Sequence, residues 1–312
     1  MVVDSGMRAP VAPAASTKLA VVIVNWNAVR DTAACLRSIR AWEAAGGVGR
    51  PTVWVVDNGS RPPGIEPIRQ EFPEVQVVQS PVNRGFGGGS NLGIERALAS
   101  GAGAILLLNN DASVDAASVA AMLETLGSDP AVGVVGPTVW HEGRCVSAGG
   151  RDIARHGRTH LRLPEPPARL LEVDYVPGTV ALVTREVFER VGLLDEDYFF
   201  GGEMADLCHR ARRLGFRSVT DPRARARHDL GRSARERQTL HLYYILRNRF
   251  LFVRKHYPRQ RAWLYARWTA RAALSGLVAL GGGNWTRARA VALGVVDGLR
   301  GRVGGQNERV LS

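Results

Sequence analysis

The chain has 312 residues, 45% of them apolar, with three cysteines and a formal net charge of +12 at pH 7. That length and apolar content exclude a disordered or fibrous chain and suit one large domain or two smaller ones. Cys35, Cys145 and Cys208 lie too far apart for a dense disulfide framework, which points to reduced thiols in a cytosolic protein.

Residues 1–17 are rich in Ala, Pro and Ser and lack the apolar segment of a secretory signal, so a flexible tail is expected. KLAVVIVNWN (18–27) is a β-branched apolar run and reads as a buried strand. RDTAACLRSIRAWEAAG (30–46) has helical spacing of Ala33, Leu36 and Ile39 and ends in glycine. TVWVVDNGS (52–60) and VQVVQS (75–80) read as the second and third strands, SNLGIERALAS (90–100) as a helix, and AGAILLLNND (102–111) as the fourth strand. DAASVAAMLETLGS (115–128) follows as a helix with Asp115 as its N-cap, and AVGVVGPTVW (131–140) as a fifth strand. This alternation predicts an α/β domain with a parallel, doubly wound sheet.

Beyond residue 140 the alternation fades. YVPGTVALVTREVFERVG (175–192) reads as an extended segment and a helix, and GGEMADLCHRARRLGF (201–216) as a loop opening into a basic helix. TLHLYYILRNRFLFVRKH (239–256) and RQRAWLYARWTARAALSGLVAL (259–280) read as arginine-rich amphipathic helices. The charge is lopsided: residues 207–312 carry 23 Lys/Arg against 5 Asp/Glu, while residues 1–206 carry 18 against 24. An anionic lipid, a phosphorylated substrate or a nucleic acid would fit the basic third. The charge-free stretch Ala272 to Thr286 falls short of the ~20 apolar residues of a spanning helix.

In a parallel sheet the ligand lies beyond the carboxyl ends of the strands. Three strands end there in polar groups: Asn25-Trp26-Asn27, Asp57-Asn58 and Asn109-Asn110-Asp111. Asp111 suits a site where Mg²⁺ or Mn²⁺ takes one carboxylate plus diphosphate oxygens, or else makes a turn into the next helix. Asp57 suits a ribose or base, or else an Asp-Asn-Gly turn. NRGFGGGSNLG (83–93) opens a helix whose amides suit an anion, but its Ser90 and its offset from the strand depart from a dinucleotide fingerprint.

VVIVNWN, VVDNGS, NRGFGGGSN, LLLNNDA, GTVALVTREVF, LLDEDYFFGGE and RHDLGRS occur in the order seen in family 2 glycosyltransferases. Over residues 18–255 the chain resembles the bacterial rhamnosyltransferase-like branch of that family. The resemblance implies a GT-A (Rossmann-like) domain over 18–230; the basic helical region at 231–312 that follows suits, by its charge, a membrane surface, or else a packed helical bundle with solvated arginines. It implies that Asn27, Asp57, Asn58, Arg84, Gly85, Asn91 and Asn110 bind the nucleotide sugar. Asp111 matches the second Asp of the family's D-x-D metal motif, with Asn109 in place of the first, and His228 matches a histidine that completes the metal or diphosphate site. The family's Glu-Asp-x-Asp-Leu reads here Glu203-Met204-Ala205-Asp206-Leu207, so its usual base is a methionine. Glu203 is expected as the base and Asp206 as a supporting group; the alternative is that neither is the base and Asp206 pairs with Arg210.

The implied activity is inverting transfer of a sugar from a dTDP- or UDP-linked donor, with Mn²⁺ or Mg²⁺, to a glycan or lipid-linked acceptor in cell-envelope assembly. Tyr198, Phe199 and Phe200 could stack on a sugar or pack in the core. Trp263 and Trp268 among Arg261, Arg267 and Arg271 resemble an interfacial helix. The expected location is cytoplasmic, peripheral on the inner face of the cell membrane and without a nucleic-acid partner. The competing readings are a nucleic-acid-binding protein using the basic third, a nicotinamide-dependent oxidoreductase using the glycine loop, and an inactive GT-A scaffold, which Met204 would favour.

Overall fold

Alternate residues of strand β1 (Leu19–Asn25) enter two different cores: Leu19, Val21 and Ile23 pack on one face of the sheet, Ala20 and Val22 on the other. A strand buried on both faces needs helices on both, and the chain supplies them. The computed structural model describes residues 17–45, 48–61, 64–165, 167–228 and 235–312. The tail expected over 1–17 lies outside these, Thr17 excepted, as does the Asp229–Ser233 part of RHDLGRS.

Nine further strands complete one sheet: β2 (Thr52–Asn58), β3 (Gln76–Ser80), β4 (Ala104–Leu108), β5 (Ala112–Val114), β6 (Val132–His141), β7 (Arg144–Ser147), β8 (Leu171–Glu172), β9 (Val180–Thr184) and β10 (Arg217–His228). The order is β3-β2-β1-β4-β9-β6-β10-β5, with β7 on β6 and β8 on β10. Strands β3, β2, β1 and β4 are parallel, as are β6 and β10; β9 runs antiparallel between β4 and β6. The sheet is therefore the mostly parallel one expected, with one reversed strand at its centre.

Helices α1 (Val29–Ala45) and α4 (Ala116–Ser128) cover one face through Leu36, Ile39, Trp42, Val119 and Met122. The Asp115 side chain accepts from Ser118 N at 2.7 Å and caps α4 as expected. A short helix, α2 (Glu66–Glu71), precedes β3. The other face carries α3 (Gly85–Ala99), α5 (Arg185–Val191) and α6 (Glu203–Arg213). The long helices α7 (Arg235–His256) and α8 (Arg261–Gly281) join that same core through Phe250, Leu251, Leu264 and Trp268. Helices α9 (Trp285–Arg300) and α10 (Asn307–Leu311) end the chain. Among the described residues no helix is long and apolar enough to cross a membrane.

One sequence expectation needs correction. The helix read from residue 90 begins at Gly85, so the glycine run is its first turns rather than a preceding loop. Glycine is needed there because α3 lies close on the sheet: a Cβ at Gly93 would fall 2.5 Å from Val22 Cγ1, and one at Gly89 would fall 3.0 Å from Val24 Cγ1. Residues 217–228, to which the sequence reading assigns no element, form the twelve-residue strand β10. Ala224 and Ala226 face the core while arginines alternate with them toward solvent.

Candidate active site

A hydrogen-bonded chain ties the tops of the parallel strands together. Asn110 Nδ2 donates to Thr32 Oγ1 at 3.1 Å, and Thr32 Oγ1 donates to Asn25 Oδ1 at 2.8 Å. Asn25 Nδ2 in turn donates to Asp57 Oδ1 at 3.3 Å and Ser60 Oγ at 3.2 Å. Asn25, Thr32 and Asp57 are buried, so their polar groups require these partners. The polar strand ends thus form one connected rim.

Asn58 shapes the neighbouring turn. Its Nδ2 donates to Gly85 O at 2.8 Å and Asn83 Oδ1 at 3.2 Å, and its Oδ1 accepts from Arg84 N at 3.0 Å. Asn83 Oδ1 also accepts from Gly85 N, and Phe199 O accepts from Phe86 N at 2.7 Å. Three amides at the head of α3 are therefore satisfied by protein acceptors, which corrects the expectation that they hold an anion. Gly85 sits at φ +73°, and a Cβ there would lie 2.1 Å from Phe199 O. Gly85→Ala is expected to destabilise the protein by at least about 2 kcal/mol, seen as a lower midpoint in thermal or urea denaturation.

Asp111 and His228 meet because β5 pairs antiparallel with the end of β10, Ala112 opposite His228. His228 Nε2 lies 3.1 Å from Asp111 Oδ1, and Arg237 Nη1 of α7 lies 3.8 Å from Asp111 Oδ2. Burial pushes the Asp111 carboxyl up, but the hydrogen bond and charge of His228, with Arg237, outweigh it and hold the group below its ordinary range. Among the described residues no three His, Cys, Asp or Glu side chains gather as a ready-made metal cage. One carboxylate and one imidazole at the wall of a cleft nevertheless fit a divalent cation that draws its other ligands from a diphosphate and water.

The cleft holding this pair has a volume of about 400 Å³; Trp26, Asn109, Phe200, Arg237, His241 and Tyr244 help line it. A larger hollow of about 960 Å³ is lined by α1, β5, residues 140–143 and the end of β10. We place the site in the smaller cleft because the strand ends converge there. Of the expected site residues, Asn58, Gly85, Asn110, Asp111 and His228 line it. Asn27 and Asp57 stand on its flank, where Asn27 Oδ1 accepts from Arg61 N.

The remaining expected residues do not line the cleft. Asn91 is buried and staples α3 to the following loop: its Nδ2 donates to Leu194 O at 2.8 Å, and its Oδ1 accepts from Leu194 N at 3.0 Å. Its amide is therefore unavailable to a nucleotide sugar. The Arg84 guanidinium contacts both Glu196 oxygens at 2.9 Å. Asp206, 1% exposed, meets Arg210 Nε and His256 Nε2, each at 2.6 Å. Burial would raise its carboxyl, but His256 and Arg210 outweigh that and hold it low.

Glu203 is also buried, at the head of α6, and its Oε2 has no hydrogen-bond partner among the described residues. Burial raises its carboxyl to about 7, with backbone hydrogen bonds at residues 203 and 201 offsetting only part of the rise. The acids just before it are all paired: Asp195 and Asp197 with Lys255, Glu196 with Arg84. Met204 is buried, its Cγ 3.2 Å from where a Cβ on Gly178 would stand.

The sequence reading missed Arg237, His241 and Tyr244, which line the cleft from α7. Their i, i+4, i+7 spacing on one helix face was the signal that could have found them. Asn307, from α10, carries no local signal at all. Phe199 and Phe200 line the cleft, whereas Tyr198 is fully buried and donates its hydroxyl to Asp206. Trp268 is a core residue, 1% exposed, donating Nε1–H to Ala154 O, so the interfacial reading survives only for Trp263, which is 60% exposed.

The family model described as "Glycosyl transferase family 2" matches residues 20–192. A low-salt glycan biosynthesis hexosyltransferase of Haloferax volcanii is 27% identical over 244 residues, covering 75% of this chain and 74% of that one. An N-acetylglucosaminyl-diphospho-decaprenol L-rhamnosyltransferase of Mycobacterium tuberculosis is 26% identical over 253 residues, covering 72% and 81%. Among solved structures, a mannosyltransferase of Pyrobaculum calidifontis in complex with GDP-Man and Mn²⁺ superposes with a TM-score of 0.59. It is 17% identical, with 93% of this chain and 89% of that one covered, a likeness of the GT-A fold.

Proposed function

The chain belongs to glycosyl transferase family 2, and we propose that it moves a sugar from a nucleoside-diphosphate donor to an acceptor hydroxyl, with inversion at the anomeric carbon. The observation that carries this reading is the Asp111–His228 pair standing at the converging strand ends. A divalent cation, Mn²⁺ or Mg²⁺, supplies Lewis acidity toward the departing diphosphate when bound. Asp111 and His228 are the residues to hold it. Arg237 adds a fixed positive charge beside the same diphosphate. Trp26, 39% exposed, offers a flat face to the base, and Asp57 beside it accepts from the nucleoside.

The attacking hydroxyl must lose a proton. Glu203 is the base in this reading, because its carboxylate keeps an unpartnered oxygen while the neighbouring acids are ion-paired. Its raised pKa near 7 matches a base working at neutral pH. It directly follows the Phe199–Gly202 segment, whose two phenylalanines line the cleft and whose Gly201 and Gly202 have positive φ. A single base opposite the leaving group gives inversion. The acceptor is a lipid-linked saccharide of the cell envelope and the donor a dTDP- or UDP-linked hexose, in line with the mycobacterial relative's name and the basic C-terminal third. The protein then works from the cytoplasmic side, peripheral to the membrane.

A thermal-shift series with dTDP, UDP and GDP, each with and without Mn²⁺, tests the reading. One nucleotide is expected to raise the midpoint only with the metal, by the equivalent of about 2.7 kcal/mol at a hundredfold excess over Kd. No shift with any of them would remove the proposal. Met204 in place of an acid supports a second reading, an inactive scaffold. That reading predicts the nucleotide shift without donor turnover.

A further inference from the structure

The last two turns of α8 expose Leu274, Leu277 and Val278, at 64%, 65% and 70% of their area. Their i, i+3, i+4 spacing puts them on one helix face. A Gly281–Gly283 turn follows, and Trp285 opens α9 at 72% exposure. Large apolar side chains clustered at the tip of a helical hairpin are costly in water, and such a patch marks an interaction surface. Residues 237–296 contain eleven Lys/Arg and no Asp or Glu. Arg271 and Arg287, the arginines next to the tip in α8 and α9, are exposed, as are Arg261 and Arg267 further back along α8.

Helix α9 runs parallel to α7. Gly294 packs on Tyr243 and Leu246, Gly298 on Phe250, and Gly301 on Arg254. Counting back at about 1.5 Å per residue, Trp285 lies some 13 Å before Gly294, and Arg237 about 9 Å before Tyr243. The apolar tip therefore stands level with the turn of α7 that lines the cleft.

We propose that the α8–α9 tip seats this protein on an anionic lipid bilayer, with Leu277, Val278 and Trp285 entering the interface and the surrounding arginines meeting lipid phosphates. The charge decides the occupant. A second copy would set two tips of like positive charge against each other, whereas an anionic bilayer complements both the apolar tip and Arg271 and Arg287 beside it. The value of this placement for a lipid-linked acceptor rests on the proposed function; the docking itself does not.

Co-sedimentation of the full chain with phosphatidylcholine vesicles, with or without about 30 mol% phosphatidylglycerol, tests it. Partitioning is expected to rise at least tenfold with the anionic lipid and to fall with added salt. Leu277→Ser/Val278→Ser/Trp285→Ala and, separately, Arg271→Glu/Arg287→Glu should each lower partitioning at least tenfold. All these positions are exposed, so the thermal midpoints should stay at the wild-type value. Equal binding by wild type and both variants would overturn the proposal, as would no binding to anionic vesicles at low salt. A wild-type dimer in light scattering that the triple variant dissolves, without vesicle binding, would assign the tip to a second copy. The assay needs no sugar donor, so failure of the nucleotide screen leaves its outcome readable.

Discussion

Asp111→Asn is expected to lower kcat/KM with Mn²⁺ by about 10³-fold or more while the protein stays folded. Asn109 and Asn110 are neutral, so Asp111 is the carboxylate that the β4–β5 turn offers to a cation. Loss of several kcal/mol of charge stabilisation at the diphosphate corresponds to that drop. The structural consequence is small by comparison. Asp111 meets His228 through one contact at 3.1 Å and Arg237, which is half exposed, at 3.8 Å. The change in stability should be about 1 kcal/mol. A second readout separates loss of the cation from loss of chemistry: the Mn²⁺-dependent thermal shift with nucleoside diphosphate should vanish in Asp111→Asn. His228→Ala should weaken the same shift, since the carboxylate remains. A variant that kept both the shift and the turnover would move the cation elsewhere.

The strands that carry this site were legible because their cores are. Ile105 to Leu108 are buried without interruption, so the run announced a two-faced strand, and Asn110 and Asp111 followed at its end. The pairing that brings His228 to Asp111 was not legible, because it depends on β10, whose RARAR stretch looks like a solvated charge run. Only the alanines between the arginines gave the period of two away. The apparent anion loop was misleading for a related reason. Glycines that allow α3 to lie against β1 look the same in sequence as glycines that cradle a phosphate. Asn91 failed likewise, since a side chain stapled to Leu194 and one facing a ligand share one letter. The α7 wall left a helix-face signal in Arg237, His241 and Tyr244, but that this face meets the cleft, and that Asn307 of α10 joins it, depends on tertiary packing.

Glu203→Gln and Asp206→Asn are expected to fail in opposite ways. Glu203 carries a carboxyl near 7 in the folded protein against an ordinary 4.5, raised by burial and by the charge of Asp206. The folded state therefore holds a proton that the unfolded state releases between about pH 4.5 and 7. Stability is not penalised below 4.5 and falls as pH rises through 7, by about 3 kcal/mol. Glutamine cannot ionise, so Glu203→Gln should match the wild type in acid and exceed it above pH 7. Turnover should nonetheless drop about 10²–10⁴-fold if this group takes the acceptor proton. Asp206 has the reverse sign: its depressed carboxyl adds stability above its ordinary range, lost as pH falls through the folded value. Asp206→Asn leaves Arg210 and His256 without their carboxylate between α6 and α7, at about 3–5 kcal/mol of stability. Its activity should follow the folded fraction, with kcat per folded molecule little changed. Denaturation midpoints across pH 4 to 9, measured with single-turnover rates, separate the two. If Asp206→Asn stayed folded but lost the chemical step while Glu203→Gln kept it, the base would be Asp206, and the unpartnered oxygen of Glu203 would have another purpose.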